Sequence, residues 1–307
     1  MSAIVVGKEV RDALASAVGA VSLETSVIGQ GLPHPRNLEC IDRMSGAIRA
    51  AGAIPAWVGV LDGAVTVGLS PAQLERFTEP GVATKVARRD VPIAVASRAV
   101  GATTVSATTW AAARAGVVVG ATGGIGGVHP GEDPDVSADL LELARTPGLL
   151  VCSGPKSIID PVATAEKLEE LGVAIVGYGV DRLPYFLARE AAVDLEHRVD
   201  TPGEAAAVAR ASAELGVRST ILLCNAVPPP LAMDPQEVAT AAAEAGLRAD
   251  AHGAHGKART PFLLAALAEL TDGRSLEANL ALLEDNARVA GDVAADISGA
   301  RSSRSPS

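Results

Sequence analysis

Four short, mostly apolar runs, at 117–121, 149–152, 174–178 and 220–224, alternate with amphipathic stretches at 105–115, 138–145, 164–171 and 204–215. A strand apolar at nearly every position is buried on both faces, which points to a mainly parallel sheet covered by helices on each side. Several of the helical stretches end in a glycine suited to a C-cap, as at Gly116, Gly172 and Gly216. The earlier segment 56–68 reads instead as a hairpin turning at Asp62-Gly63. A long amphipathic helix is expected from Ser275 to about Ile297. With no internal repeat and no dividing linker, the reading is one α/β domain over 1–298 and a disordered Ser/Arg-rich tail over 299–307. Aromatic residues make up 2% of the 307, so the core must be built from Ala, Val, Leu and Ile.

The formal net charge of −10 argues against a nucleic-acid polymer as partner, because such binding rests on clustered Lys and Arg. No apolar run approaches the roughly 20 residues that span a bilayer, and no leader-like segment opens the chain. A cytoplasmic protein without membrane attachment is expected. Cys40, Cys152 and Cys224 form no CxxC pair and suggest no disulfide framework; they read as small core residues. Of 26 basic residues only five are lysines: Lys8, Lys85, Lys156, Lys167 and Lys257. Each is therefore worth weighing as a possible amine reagent.

Lys156 follows the apolar run 149–152, just where ligands gather in an open α/β sheet. A lysine in apolar surroundings is a nucleophile toward a carbonyl carbon. Lys167 lies on a charged helix face and reads as surface. Lys85 joins Arg88 and Arg89 in the densest basic patch, either a phosphate clamp or a solvated loop. Glu24 ends a β-like stretch in which an inward carboxylate would be unusual, making it a candidate general acid or base. The loop from Thr122 to His129 holds four glycines in five positions. It reads as a backbone nest for an anion or as a tight turn, with Thr122 and His129 at its ends as substrate contacts. It lacks the glycine spacing and acidic partner of a dinucleotide site. Asp135, Ser137 and Asp139 are hard oxygen donors suited to Mn²⁺ or Mg²⁺. They also read as a helix start, with Ser137 as N-cap and Asp139 in the first turn, and spacing favours that reading while leaving Asp135 free. His252 and His255, separated by Gly253, read as a polar loop and not a metal site.

Together these segments resemble the pseudouridine-5′-phosphate glycosidase family. The resemblance runs in order from Leu23-Glu-Thr-Ser through Gly31-Leu-Pro-His-Pro-Arg-Asn, Thr84-Lys-Val-Ala-Arg-Arg-Asp, the glycine loop, Asp135-Val-Ser-Ala-Asp and Cys152 to Asp160. It continues through Thr260-Pro-Phe-Leu-Leu and residues 275–287, almost the whole chain. It implies a single α/β/α domain assembled as a homotrimer. By position, Lys156 matches the family's Schiff-base lysine, Glu24 its proton donor, Asp135 its Mn²⁺ ligand and Asn279 an active-site asparagine. Lys85, Val105, Ser137, Ala138 and Asp139 match positions that bind the substrate, a small sugar phosphate or nucleotide.

The departures are His129-Pro-Gly with a shortened loop, Pro134 and Pro155, Asn225-Ala-Val-Pro-Pro, and the His252/His255 loop. They surround the place an aglycone would occupy and leave the sugar-phosphate and imine residues intact. The first function expected is reversible cleavage of pseudouridine 5′-phosphate to uracil and ribose 5-phosphate. A C-glycosynthase joining ribose 5-phosphate to an aromatic natural product is the alternative, and a catalytically silent sugar-phosphate binder is the third. Retention of Glu24, Lys156 and Asp135 together speaks against the silent binder.

Overall fold

Alternation along single strands decides the layering. In Gly148–Cys152, Leu149 and Val151 enter one core while Leu150 and Cys152 enter another. In Thr220–Asn225, Ile221 and Leu223 face the first core, and Leu222 and Cys224 the second. A strand apolar on both sides is thus sandwiched between helix layers, the α/β/α arrangement expected from the sequence. The structure, a computed structural model, describes residues 4–130, 135–254 and 259–302.

The described residues form eleven strands: β1 (Ile4–Val6), β2 (Ala20–Glu24), β3 (Ile54–Leu61), β4 (Ala64–Val67), β5 (Thr84–Val86), β6 (Gly101–Thr103), β7 (Val119–Ala121), β8 (Gly148–Cys152), β9 (Ile175–Tyr178), β10 (Arg198–Val199) and β11 (Thr220–Asn225). They build one sheet in the order β1-β4-β3-β2-β7-β8-β11-β9-β10, with β6 paired to β3 and β5 to β6. Every pairing is parallel except β3–β4 and β3–β6. The helices are α1 (Lys8–Ala15), α2 (Arg36–Ala50), α3 (Pro71–Thr78), α4 (Val91–Ala96), α5 (Val105–Arg114), α6 (Ala138–Leu143), α7 (Pro161–Glu170), α8 (Pro202–Glu214), α9 (Pro235–Ala251), α10 (Arg259–Leu270) and α11 (Arg274–Ser302). On one face α11 packs along α2, α8 and the strands β2, β7 and β8; α5 and α6 pack together on the other.

The β3–β4 hairpin turns at Asp62-Gly63, both at positive φ (52° and 84°), the backbone that a two-residue turn between twisted strands requires. Two helices start before the periodicity suggests, because their caps lie upstream of the apolar pattern. Asp160 accepts from the amides of Val162 and Ala163 and starts α7 at Pro161. Thr201 forms a capping box with Glu204 and starts α8 at Pro202. The last helix runs on to Ser302, past the residue-298 boundary expected for it, and 303–307 of the expected tail lie outside the described residues. So do 131–134 of the shortened loop, His255 and Lys257. His252 caps α9, its Nδ1 2.9 Å from the Arg248 carbonyl oxygen.

The three cysteines are buried and free, as expected of core residues. No helix of the described residues is long and apolar enough to cross a membrane. Trp57 and Phe77 are buried, but most of the core is aliphatic. Leu223, buried between β11's neighbours and the α11 layer, should be sensitive to truncation. Leu223→Ala is expected to lower unfolding stability by about 2–5 kcal/mol. Denaturant unfolding would read this as a lower midpoint at unchanged slope, and an unchanged midpoint would contradict close packing there.

Candidate active site

One cavity of about 820 Å³ opens beyond the C-terminal ends of β2, β7 and β8, where ligands bind in open parallel sheets. Glu24 is the last residue of β2 and is 6% exposed. Its carboxylate accepts from the hydroxyl of Ser26 at 2.5 Å and from that of Thr122, just past β7, at 2.5 Å. Two hydroxyl donors compensate the burial of this carboxylate and aim it into the cavity.

Lys156 stands on the turn after β8, in the same cavity. That turn is held from several sides. Gly154 has φ +74°, and a Cβ there would lie 1.9 Å from the Pro184 carbonyl oxygen, so only glycine fits. The Lys156 amide donates to Ile125 O at 3.1 Å. The Tyr185 hydroxyl donates to the Ser157 and Ile159 carbonyls at 2.8 and 3.0 Å, and burial pushes that phenol up to about 12. Phe186, at φ 54°, donates its amide to Ser153 O at 2.7 Å and lays its ring over Gly124.

Lys85, central in β5, lines the same cavity. Burial first, and the Lys156 ammonium second, hold its pKa below the ordinary lysine value; Asp139, Glu24 and Asp135 oppose them. Both amines are without a side-chain hydrogen bond to any described residue, and so is the Asn279 amide, buried on α11 at the cavity wall. Arg88 and Arg89 line the cavity as well. Arg88 is braced by the buried Glu142 at 2.8 Å, which also accepts from Thr146 Oγ1, and its guanidinium lies 6.0 Å from the Trp110 ring.

Close packing requires glycine in this loop, part of which also lines the cavity. A Cβ at Gly126 would sit 2.4 Å from Ser137 Oγ, and the Gly126 amide donates to Asp139 Oδ2 at 3.1 Å. Asp139 accepts through Oδ1 from the Ser106 amide at 2.9 Å, so its carboxylate ties the start of α5 to the loop. Ser137 caps α6 by accepting from the Asp139 amide at 3.2 Å. Ser137 therefore serves as a helix cap, and the Asp139 carboxylate as the acceptor for two backbone amides. Ala138 also lines the cavity. Val105 does not: its side chain is buried with Leu140, Leu143 and Leu150, and Thr104 beside it faces the cavity instead.

Asp135 is exposed at the cavity wall, its carbonyl accepting from the His129 amide at 2.9 Å. Burial holds the His129 pKa below the ordinary histidine value, against the pull of Asp135. Among the described residues no group of three or more His, Cys, Asp or Glu side chains could enclose a metal. A single hard carboxylate fits Mg²⁺ or Mn²⁺ keeping most of its waters, and not a caged ion such as zinc.

Ser26, Glu142 and Asn286 carry site geometry that sequence reasoning passed over. Asn279 and Asn286 did leave a signal, since both are polar residues seven apart on the apolar face of α11.

The family model described as indigoidine synthase A like protein matches residues 9–296. A pseudouridine-5′-phosphate glycosidase of Myxococcus xanthus is 47% identical over 292 residues, covering 94% of this chain and 96% of its own. One from Symbiobacterium thermophilum is 44% identical over 292 residues, covering 93% and 95%. Among solved structures, an indigoidine synthase A-like protein of Thermotoga maritima superposes with a TM-score of 0.88 at 36% identity, covering 96% of each chain. The prealnumycin C-glycosynthase AlnA, solved with ribulose 5-phosphate, gives 0.89 at 38% identity, covering 99% of this chain and 100% of its own. The chain belongs to the indigoidine synthase A-like family, together with the pseudouridine-5′-phosphate glycosidases.

Proposed function

We propose that the protein reversibly cleaves the C–C glycosidic bond of pseudouridine 5′-phosphate, giving uracil and ribose 5-phosphate. The observation that carries this reading is the gathering of Glu24, Lys156 and Lys85 in one cavity. Full-length relatives named for that activity support it.

A carbon leaving group requires an electron sink at C1′. Protonation of the ribose ring oxygen by Glu24 breaks the C1′–O bond and opens the sugar. The Lys156 amine bonds to C1′ as that bond breaks and passes a proton to the Glu24 carboxylate, which delivers it to C5 of the base. The C1′–C5 electron pair then departs with uracil as the nitrogen lone pair forms the C1′ imine. Water hydrolyses the imine to release ribose 5-phosphate and free the lysine. Lys85 with its basic neighbours binds the phosphate, and that remote binding energy orients the sugar. A divalent ion, Mn²⁺ or Mg²⁺, held at Asp135 would order water beside it, and no bond change is assigned to it. The family resemblance also supports a homotrimer working in the cytoplasm.

Run toward synthesis, the same chemistry would attach ribose 5-phosphate to an aromatic acceptor. The likeness to AlnA favours this second reading, as does a cavity in the upper part of the range for small-molecule sites.

With Mn²⁺ and pseudouridine 5′-phosphate, folded protein should release uracil; absence of release overturns cleavage. Borohydride with ribose 5-phosphate should add a ribitol-phosphate mass at Lys156. Lys156→Ala should give no adduct, and a persisting adduct would remove Lys156 from the imine role. Glu24→Gln is expected to lower kcat by about 10²–10⁴-fold, and an unchanged kcat would exclude it as the acid. The lowered pKa of Lys85 sets a pH dependence. A phosphate dianion needs the ammonium, which is lost as pH climbs toward the ordinary value of 10.5. KM should therefore rise with pH below that value, and Lys85→Arg, which stays charged, should flatten the rise.

A further inference from the structure

Asn286 lies in the middle of α11, is 0% exposed and is not part of the cavity wall. An amide buried this deeply is costly unless its hydrogen-bonding groups are met. Its Nδ2 donates to Thr122 O at 2.8 Å and to Ser153 Oγ at 3.1 Å, with Gly123 O at 3.4 Å. Its Oδ1 accepts from Asn225 Nδ2 at 3.1 Å and from Ser153 Oγ at 3.4 Å. Thr122 follows β7, Ser153 follows β8 and Asn225 ends β11, and these three strands are consecutive in the sheet. Asn225 is fixed in turn by Asp285 at 2.8 Å.

One amide thus ties together three adjacent strand ends. The Thr122 hydroxyl carries that restraint to Glu24 at the end of β2, and Ser153 begins the turn that presents Lys156. Because Nδ2 faces two backbone carbonyls, the amide has one orientation that satisfies it. An oxygen in that place would face carbonyl oxygens.

We infer that Asn286 is a positioning residue that sets the spacing between Glu24 and Lys156 by joining the ends of β7, β8 and β11. This rests on the imine reading above only for its kinetic consequence. A shift of about 1 Å between reacting groups can cost on the order of 10²-fold in rate without altering ground-state binding.

The test uses full-length Asn286→Asp, which keeps the shape, and Asn286→Leu, which keeps the bulk, with thermal unfolding to establish that each is folded. Whichever variant folds should show kcat for pseudouridine 5′-phosphate down by about 10²-fold, KM little changed, and slower borohydride trapping of ribose 5-phosphate at Lys156. Hydrogen exchange should quicken at the Thr122, Ile125, Ser153 and Lys156 amides, which bridge the loop and the turn, and stay unchanged in α9. Unchanged kcat, or a fall matching only the loss of folded protein, overturns the inference. So does exchange that is unaltered or faster everywhere alike. Wild-type protein that forms no adduct would sink the imine reading, and the exchange measurement would still decide the role of Asn286.

Discussion

Four neighbouring parallel strands, β2, β7, β8 and β11, end on the same side of the sheet, and the site's covalent chemistry depends on that shared edge. Neighbouring strands lie about 4.8 Å apart, so a group ending β2 and one just past β8 are separated at the backbone by roughly two such spacings. Side chains reaching inward close that gap over a single sugar. A parallel sheet also requires crossovers, and the helices that supply them bury both sheet faces. The strand ends are then left as the place where polar groups can meet water or a ligand.

Small residues make the edge dense. The glycines of the loop after β7 admit Ser137 and the Phe186 ring at distances that a Cβ would forbid, and the Gly126 amide reaches the Asp139 carboxylate. Asp139 is buried, and its two oxygens hold amides from α5 and from the loop. That arrangement makes it a bracket between two walls of the cavity that it also lines. Its negative charge still reaches Lys85 and supports the ammonium there.

Net charge and local charge differ sharply. The chain carries −10 overall, yet Lys85, Lys156, Arg88 and Arg89 all line one cavity. Most other arginines pair with surface carboxylates, as Arg49 does with Glu9 and Arg198 with Asp181 and Asp200. Such exposed pairs contribute little stability. They leave the cavity as the place where positive charge is held in partly buried surroundings.

The apolar runs alone determined the layered parallel sheet and the hairpin, because patterns of hydrophobicity and turn residues act locally. Scarcity of lysine singled out Lys85 and Lys156, and the position of Lys156 after an apolar run placed it at a strand end. Helix starts were less legible, since caps such as Asp160 and Thr201 lie outside the apolar pattern. The Val105 side chain enters the core, a direction that the apolar pattern does not give and that is set by how α5 seats on α6. Asn286 shows most clearly what only the tertiary structure decided. Its partners at 122, 153 and 225 lie far apart in sequence and become neighbours only when strand order places β7, β8 and β11 side by side. A sequence records which residues can donate and accept, but the order of strands in the sheet fixes which of them meet, because hydrogen bonds and charge act over a few ångströms.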